Sequence, residues 1–384
     1  MNFNYSEEQQ QLRDSLARYI QKEYGFERRR AILRSAEGWS REVWRQFADM
    51  GLLALGVPEQ HGGLGGNAVD TLAVMEMFGR GLVVEPYLST VVIGAQLVAQ
   101  AGTAAQQTQL LPKLVSGELL LALAHYESGA RYELNHVTTR AAAAGGGYVL
   151  DGSKTVLLHG ASADRLIVSA RTAGGERDAT GVSLFLVDPK TAGVSLHGYT
   201  TQDGQRAAEL RLDRVTLGAD SLLGTAGAAL PLLELAQDRA IAALCAEAVG
   251  IMDTLLQLTG SYLKTRKQFG VPIGSFQALQ HRMADMLMHT EQARSMAYLA
   301  AAKVDLPDAR ERRRALSAAK SLVGRAARYV GQQAVQLHGG IGVTDELSVS
   351  HYFKRLTLIN LSFGDADHHL GLFSDLLLTE TQAA

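Results

Sequence analysis

The sequence predicts a mainly α fold in three parts. These are an N-terminal all-α domain over residues 1–118, a middle antiparallel β-barrel domain over 119–226 and a C-terminal four-helix bundle over 227–384. Three observations carry this reading. Apolar residues recur at helical spacing at both ends of the chain. In the middle third they fall into short β-branched runs between turn clusters. A length of 384 residues leaves room for two or three domains.

Taken in order, Ser6-Glu7-Glu8-Gln9 opens the first helix as a capping box, and Leu12, Leu16, Tyr19 and Ile20 follow at helical spacing. Further helical patterns cover Trp44–Leu53, Ala68–Gly79, Ser89–Gln100 and Ala104–Ser116, broken at Val57-Pro58, His61–Gly66 and Glu85-Pro86. Strand-like runs then occupy Leu119–His125, His136–Arg140, Tyr148–Leu150, Leu166–Arg171, Val182–Val187, Val194–His197 and Ala208–Leu217. Gly145–Gly147, Asp151-Gly152-Ser153, Ala173–Gly181 and Asp188–Gly193 read as turns between them. Leu230–Lys264, Ser275–Val304, Asp308–Leu337 and Asp367–Leu378 are the expected bundle helices, separated by Pro272, Pro307 and Gly339–Gly342.

Composition narrows the function classes. Apolar residues make up 47%, charged residues 20%, and the net charge is −2, which excludes a global nucleic-acid or anionic-membrane footprint. A single cysteine, Cys245, permits no intrachain disulfide and predicts a reducing, cytoplasmic setting, with the thiol as a small core residue. The start of the chain lacks the basic and apolar regions of a secretory signal. No apolar run is expected to reach the roughly 18 residues needed to span a bilayer. The long apolar helices offer more surface than one monomer face needs, so subunit contacts are expected. Arg310–Arg314 reads as a solvated basic face. His368 and His369 are expected to point apart on a helix, with no spacing for a metal.

Two segments are candidates for chemistry. Arg266-Lys267-Gln268-Phe269-Gly270 closes the long helix, and Gln336-Leu337-His338-Gly339-Gly340-Ile341-Gly342 closes another. Each alone also fits an ordinary glycine-stopped helix end. As a ligand site, Arg266 offers a planar fork of donors for a diphosphate, Phe269 an aromatic face, and the glycines close backbone approach. Neither is a Walker loop or a Rossmann fingerprint.

Together with Gly51-Leu52-Leu53, Gly56-Val57-Pro58-Glu59, His61–Gly66, Leu111–Gly117 and the run Phe276-Gln277, Gln280, Met283–Met286, these segments make the chain resemble the acyl-CoA dehydrogenases over essentially its whole length. The resemblance implies FAD, dehydrogenation of an acyl-CoA thioester between its α and β carbons, and an electron-transfer flavoprotein as acceptor. It also implies that Arg266, Gln268, Phe269, Gln336, Gly339 and Gly340 hold the diphosphate and adenosine end of FAD bound mainly by a neighbouring subunit. Such chemistry needs a carboxylate base, a flavin and donors to the thioester oxygen held in register.

The family pattern breaks where that chemistry sits. The family's Tyr-Glu-Gly-Thr reads Ser362-Phe363-Gly364-Asp365, so Phe363 stands at the position of the base. Asp365 and Asp367 read instead as the cap and first turn of the last helix. Some members carry the base before an arginine on the long helix, here Asp238-Arg239. Asp238 is therefore the candidate base, and Arg239 matches a family position at the acyl-CoA site. Otherwise Asp238 is a carboxylate paired with Arg239 or solvated. The flavin-ring segments change too. Thr-Glu-Pro-x-x-Gly-Ser-Asp becomes Tyr126–Glu133, with Tyr132 for the small serine. In Lys154–Gly160, Val156 and Leu158 replace the tryptophan over the ring and the threonine at N5.

A chain that keeps what it lends to a neighbour and alters its own ring site reads as the small subunit of a hetero-oligomer, a dimer or tetramer with a larger acyl-CoA dehydrogenase subunit. The same resemblance implies a dicarboxyl-CoA such as pimeloyl-CoA as substrate. The rival readings are a self-sufficient homo-oligomer using Asp238, an acyl-CoA-binding paralogue without turnover, and a flavin monooxygenase on the same fold.

Overall fold

The structure is a computed structural model that describes residues 5–383. Helices α1 (Glu7–Glu23), α2 (Phe26–Arg34), α3 (Arg41–Asp49) and α4 (Ala68–Gly81) come first. A π-helical stretch, Leu88–Ala95, runs into α5 (Gln96–Ala101), and α6 (Ala104–Val115) follows. The strands are β1 (Leu121–Ala124), β2 (Arg140–Ala144), β3 (Gly147–Leu158), β4 (Arg165–Arg171), β5 (Val182–Val187), β6 (Val194–Thr200), β7 (Arg206–Leu217) and β8 (Leu222–Leu223). Then come α7 (Leu230–Thr265), a small hairpin of β9 (Lys267–Gln268) and β10 (Val271–Pro272), α8 (Gln277–Lys303), α9 (Ala309–His338), α10 (Ser348–Leu361) and α11 (Ala366–Ala383).

The described chain forms two compact units. The first joins the segment up to Ala31, Ala68–Val83 and the chain from Ile241 onward. The second joins Ile32–Asn67 and Val84–Ala240.

In the first unit the predicted capping box is present. Ser6 Oγ accepts from the Gln9 amide at 3.2 Å, and Gln9 Oε1 accepts from the Ser6 amide at 3.0 Å. α4 and α7 approach so closely that a Cβ on Gly79 would meet the Glu247 carbonyl at 2.0 Å, and one on Gly250 would meet the Glu76 carbonyl at 1.9 Å. Only glycine fits at that crossing. Buried Glu76 receives Arg13 at 2.9 Å, Arg80 at 3.3 Å and Arg294 at 3.4 Å, and Asp253 receives Arg80 and Arg294 at 2.9 and 2.5 Å. This network ties α1, α4, α7 and α8 together. Arg355 on α10 grips Glu247 on α7 with two bonds of 2.6 and 2.7 Å. α9 packs against α8, α10 and α11.

Four expectations need correction here. The C-terminal region has five helices among the described residues, because α10 is helical too, with Val349, Tyr352, Leu356 and Ile359 buried along one face. α7 is long and apolar enough to cross a membrane by length and composition, since scattered polar residues do not lower its mean hydropathy enough. However, 72% of its most apolar window is buried inside the protein, which is where that surface goes. Arg310–Arg314 is not wholly solvated, since Arg312 is buried and donates to the Leu306 carbonyl at 2.9 Å. The His368 and His369 rings do not diverge but meet edge to face at 5.3 Å.

The second unit is built on one sheet in the order β6-β7-β3-β2-β4-β5-β8, with β1 added beside β4. It is not the expected closed antiparallel barrel. Its terminal strands β6 and β8 do not pair with each other, and β4 runs parallel to both β1 and β2. Ala122, Leu150, Leu157, Leu166, Val168, Phe185 and Leu210 form its core. Two strand expectations also shift. His136–Thr139 lies outside β2, and Asp151-Gly152-Ser153 is no turn but part of β3, which bulges against β7 between Leu150 and Gly152.

Candidate functional site

In the first unit the two glycine-ended motifs meet. α7 ends in Thr265, and the Arg266 amide still donates to the Tyr262 carbonyl at 2.8 Å. The β9–β10 hairpin then turns the chain back, and the Ile273 amide donates to the Arg266 carbonyl at 2.8 Å. α9 ends at His338, and Gly339 departs at φ +66°, where a β-carbon is strained. The result is a cleft of about 400 Å³ lined by Tyr262, Arg266, Gln268, Arg282, Gln336 and His338, with Gly339 and Gly340. A Cβ on either glycine would meet nothing within 4 Å, so their backbone faces open space. Tyr262 and His338 stack at 4.5 Å. The His338 Nδ1 donates to the Ala334 carbonyl at 2.8 Å, and burial lowers its pKa, so the ring is neutral near pH 7. Phe269 is 91% exposed in a left-handed conformation, its ring 6.0 Å from Phe276.

Five of the six cofactor candidates line this one cleft: Arg266, Gln268, Gln336, Gly339 and Gly340. Phe269 lies next to Gln268 but is not part of the lining. Arg282 and the Tyr262–His338 pair are additional lining residues that the sequence did not single out. A cationic fork, amide side chains and open glycine backbone suit a diphosphate, so the residues present fit that end of FAD.

The first unit also holds the segment where the family carries its base. Phe363 sits at φ +58°, and its carbonyl accepts from His369 Nε2 at 2.9 Å. A carbonyl only accepts, so Nε2 carries the proton, and Nδ1 accepts from Ser317 Oγ at 3.2 Å. Lys320 Nζ donates to the Asn360 and Gly364 carbonyls at 2.8 and 2.6 Å. Asp365 caps α11, accepting from the His368 amide at 2.8 Å. Backbone carbonyls are anchored round this turn, and Phe363, which the resemblance puts at the position of the base, carries a phenyl ring that takes no proton.

In the second unit, Tyr126, Glu127 and Lys154 belong to a buried polar frame. Lys154 Nζ donates to Glu127 Oε1 at 2.6 Å, Ser169 Oγ at 2.9 Å and the His125 carbonyl at 3.2 Å. The Thr138 and Thr139 amides donate to the same carboxylate at 2.6 and 3.1 Å, as does the Thr138 hydroxyl. Burial alone raises the Glu127 pKa, but the Lys154 charge and these hydrogen bonds outweigh it and hold the carboxyl at about 2. Burial lowers His125 to about 3, so it stays neutral.

The frame carries the altered ring positions. β3 bulges again between Lys154 and Leu157 against β7. Lys154 and Leu157 therefore both point inward, and Val156 is turned out, 49% exposed at φ +55°. A β-branched residue is strained there. The Leu158 side chain has no hydrogen-bond donor. Tyr132 lies under the Arg131 guanidinium at 5.5 Å.

Tyr126 Oη donates to Gln237 Oε1 at 2.9 Å, joining this segment to the first turns of α7. Next along, Asp238 is buried rather than solvated. Arg239 Nη1 donates to Gln96 Oε1 at 2.5 Å, and Gln96 Nε2 donates to the Gly56 carbonyl at 2.6 Å. Arg239 is thus tethered to the Gly56-Val57-Pro58-Glu59 loop.

The family models of the acyl-CoA dehydrogenase N-terminal, middle and C-terminal domains match residues 6–118, 122–215 and 214–376. A probable acyl-CoA dehydrogenase, YngJ, of Bacillus subtilis (strain 168) is 29% identical over 374 residues, 96% of this chain and 97% of its own. A variant of the Tcur3481-Tcur3483 steroid ACAD is 31% identical with a TM-score of 0.87, covering 98% of this chain and 99% of its own. The ChsE4-ChsE5 complex from Mycobacterium tuberculosis is 28% identical with a TM-score of 0.88 and the same coverage. The chain belongs to the acyl-CoA dehydrogenase family of FAD-dependent oxidoreductases.

Proposed function

We propose that this chain is the small subunit of a heteromeric, cytoplasmic acyl-CoA dehydrogenase, and that it completes an FAD site carried mainly by a larger subunit. The observation that carries the reading is the contrast between an open diphosphate cleft and a base position filled by Phe363. Val156 and Leu158 support it, because neither side chain supplies the flat ring or the donor that an isoalloxazine needs, and Tyr132 puts a bulky ring where the family has a small serine. Two of the similar structures, the Tcur3481-Tcur3483 steroid ACAD and the ChsE4-ChsE5 complex, are named as pairs.

In this reading Arg266 and Gln268 bind one side of the diphosphate, and Gln336 with the Gly339-Gly340 backbone closes the other. Phe269 projects toward the partner and packs against it or the cofactor. FAD held there would supply the acceptor for the hydride of the β-carbon, with an electron-transfer flavoprotein as the onward electron acceptor. The α-proton goes to a carboxylate of the larger subunit. The substrate is an acyl-CoA thioester, with a dicarboxyl-CoA such as pimeloyl-CoA as the first member to assay.

The test is an Asp238→Asn substitution, assayed in the chain alone and in the reconstituted hetero-oligomer. We expect no acyl-CoA oxidation from the isolated chain and full turnover from the reconstituted variant. Oxidation by a homo-oligomer that Asp238→Asn abolishes assigns the base to this chain and defeats the proposal.

A further inference from the structure

The α7–α9 cleft holds a second cation outside the two glycine-ended motifs. Arg282 stands in the second turn of α8 and lines the cleft with Arg266. Its guanidinium Nη1 donates to Gln333 Oε1 at 3.2 Å. Gln333 lies on α9, about one turn before Gln336. A neutral amide fixes the direction of a guanidinium without cancelling its charge. Arg13, Arg80, Arg294 and Arg355 contrast with this, each being seated on a carboxylate.

The helix ends around the cleft favour a second cation here. The cleft is bordered by the C-terminal ends of α7 and α9, each carrying roughly half a negative charge, and by the first turns of α8, whose N-terminus carries roughly half a positive one. Together these ends cancel about half of the Arg266 charge. A diphosphate carries more negative charge than Arg266 alone offsets. Arg282 adds a second cation, offset in part by Asp285 three residues on, which accepts from Tyr329 Oη at 3.4 Å, and offers it as a planar fork that suits phosphate oxygens.

We propose that Arg282 is a binding residue for the diphosphate-bearing dinucleotide, with Arg266 and Arg282 forming a two-arginine clamp and Gln333 positioning the second arm. The inference rests on the reading of this cleft as a dinucleotide-diphosphate site. It does not depend on which subunit holds the flavin ring.

The test uses ADP as probe and the full chain by itself. ADP binding is measured by calorimetry at low and moderate salt for wild type, Arg266→Gln, Arg282→Gln and Arg282→Lys, with AMP as the single-phosphate control. We expect Arg282→Gln to weaken ADP about tenfold, to flatten the salt dependence and to affect AMP less. Arg282→Lys should recover part of the loss, because it keeps the charge but not the fork. Arg282 is exposed, so the melting temperature should not move. The proposal is overturned if Arg282→Gln binds ADP within twofold of wild type while Arg266→Gln does not, if AMP suffers equally, or if the wild-type chain binds no ADP. The small-subunit reading fails separately, on flavin content and turnover of the isolated chain, so the two failures are distinguishable.

Discussion

At the helix ends of the first unit, Arg266, Gln268, Gln336 and two glycines stand open on a cleft, with no bulky side chain intruding at Gly339 or Gly340. On β3 of the second unit the positions where the family meets the flavin ring carry an exposed, strained valine and a leucine without a donor. Yet the frame beneath that strand is complete, with Glu127, Lys154, His125 and Ser169 buried and mutually bonded. In the proposed reading, the second unit has a bonded frame beneath a surface that offers a flavin ring no partner, and the first unit offers an open cleft to a diphosphate. Structural and cofactor constraints separate cleanly in this chain, and each can be probed without the other.

The largest effect should come from breaking the frame. Lys154→Met leaves the buried Glu127 carboxylate without its counter-charge, held only by Thr138 and Thr139, and should destabilise the protein by about 3–5 kcal/mol in chemical denaturation. A loss below about 1 kcal/mol would mean that the frame does not hold the second unit.

Acid should weaken both units, through one neutral histidine in each. Burial lowers His125 to about 3 and His369 to about 4, against 6.5 for a free side chain. The unfolded chain therefore takes up these protons first. Their contribution is complete above pH 6.5, then falls as the pH drops toward about 4 for His369 and about 3 for His125. Each should cost on the order of 2–3 kcal/mol by pH 4. His369→Gln keeps a donor for the Phe363 carbonyl and should remove its share of the slope. An unchanged pH dependence in that variant would count against the assignment.

Arg266→Gln addresses the retained surface. In the assembled enzyme it should weaken FAD binding by about 1.5–3 kcal/mol, or tenfold to a hundredfold, with the melting temperature of the isolated chain unchanged. Equal loss of stability and of flavin would merge the two constraints again.

The smallest effect concerns Val156. Its left-handed conformation costs roughly 1–2 kcal/mol, which Val156→Gly relieves at the expense of some backbone entropy. A change between zero and about 1 kcal/mol toward greater stability is expected from thermal melts. Clear destabilisation would show that the valine side chain is needed in the fold of the isolated chain.

Much of this was legible in the sequence where a local rule decides the outcome. The Ser6–Gln9 box, the breaks at Pro272 and Pro307 and the stop at Gly339 each act through their own backbone. β3 was not legible through Asp151-Gly152-Ser153, because a bulge and a turn use the same residues and only the partner strand distinguishes them. The open sheet escaped for a related reason. Strand runs are visible in one dimension, but which edges pair is a tertiary fact. At the candidate site, the two glycine-ended motifs announced themselves by type and spacing. Arg282 did not, since one arginine on a helix looks like any solvated charge until Gln333 and the ends of α7 and α9 are placed beside it.

The most direct test of the account is flavin content per protomer, measured on the chain purified alone and on the chain co-purified with a large acyl-CoA dehydrogenase subunit. The account predicts little or no flavin and no acyl-CoA oxidation from the chain alone, with flavin and turnover appearing in the hetero-oligomer. Stoichiometric flavin and full acyl-CoA oxidation by the isolated chain would contradict it.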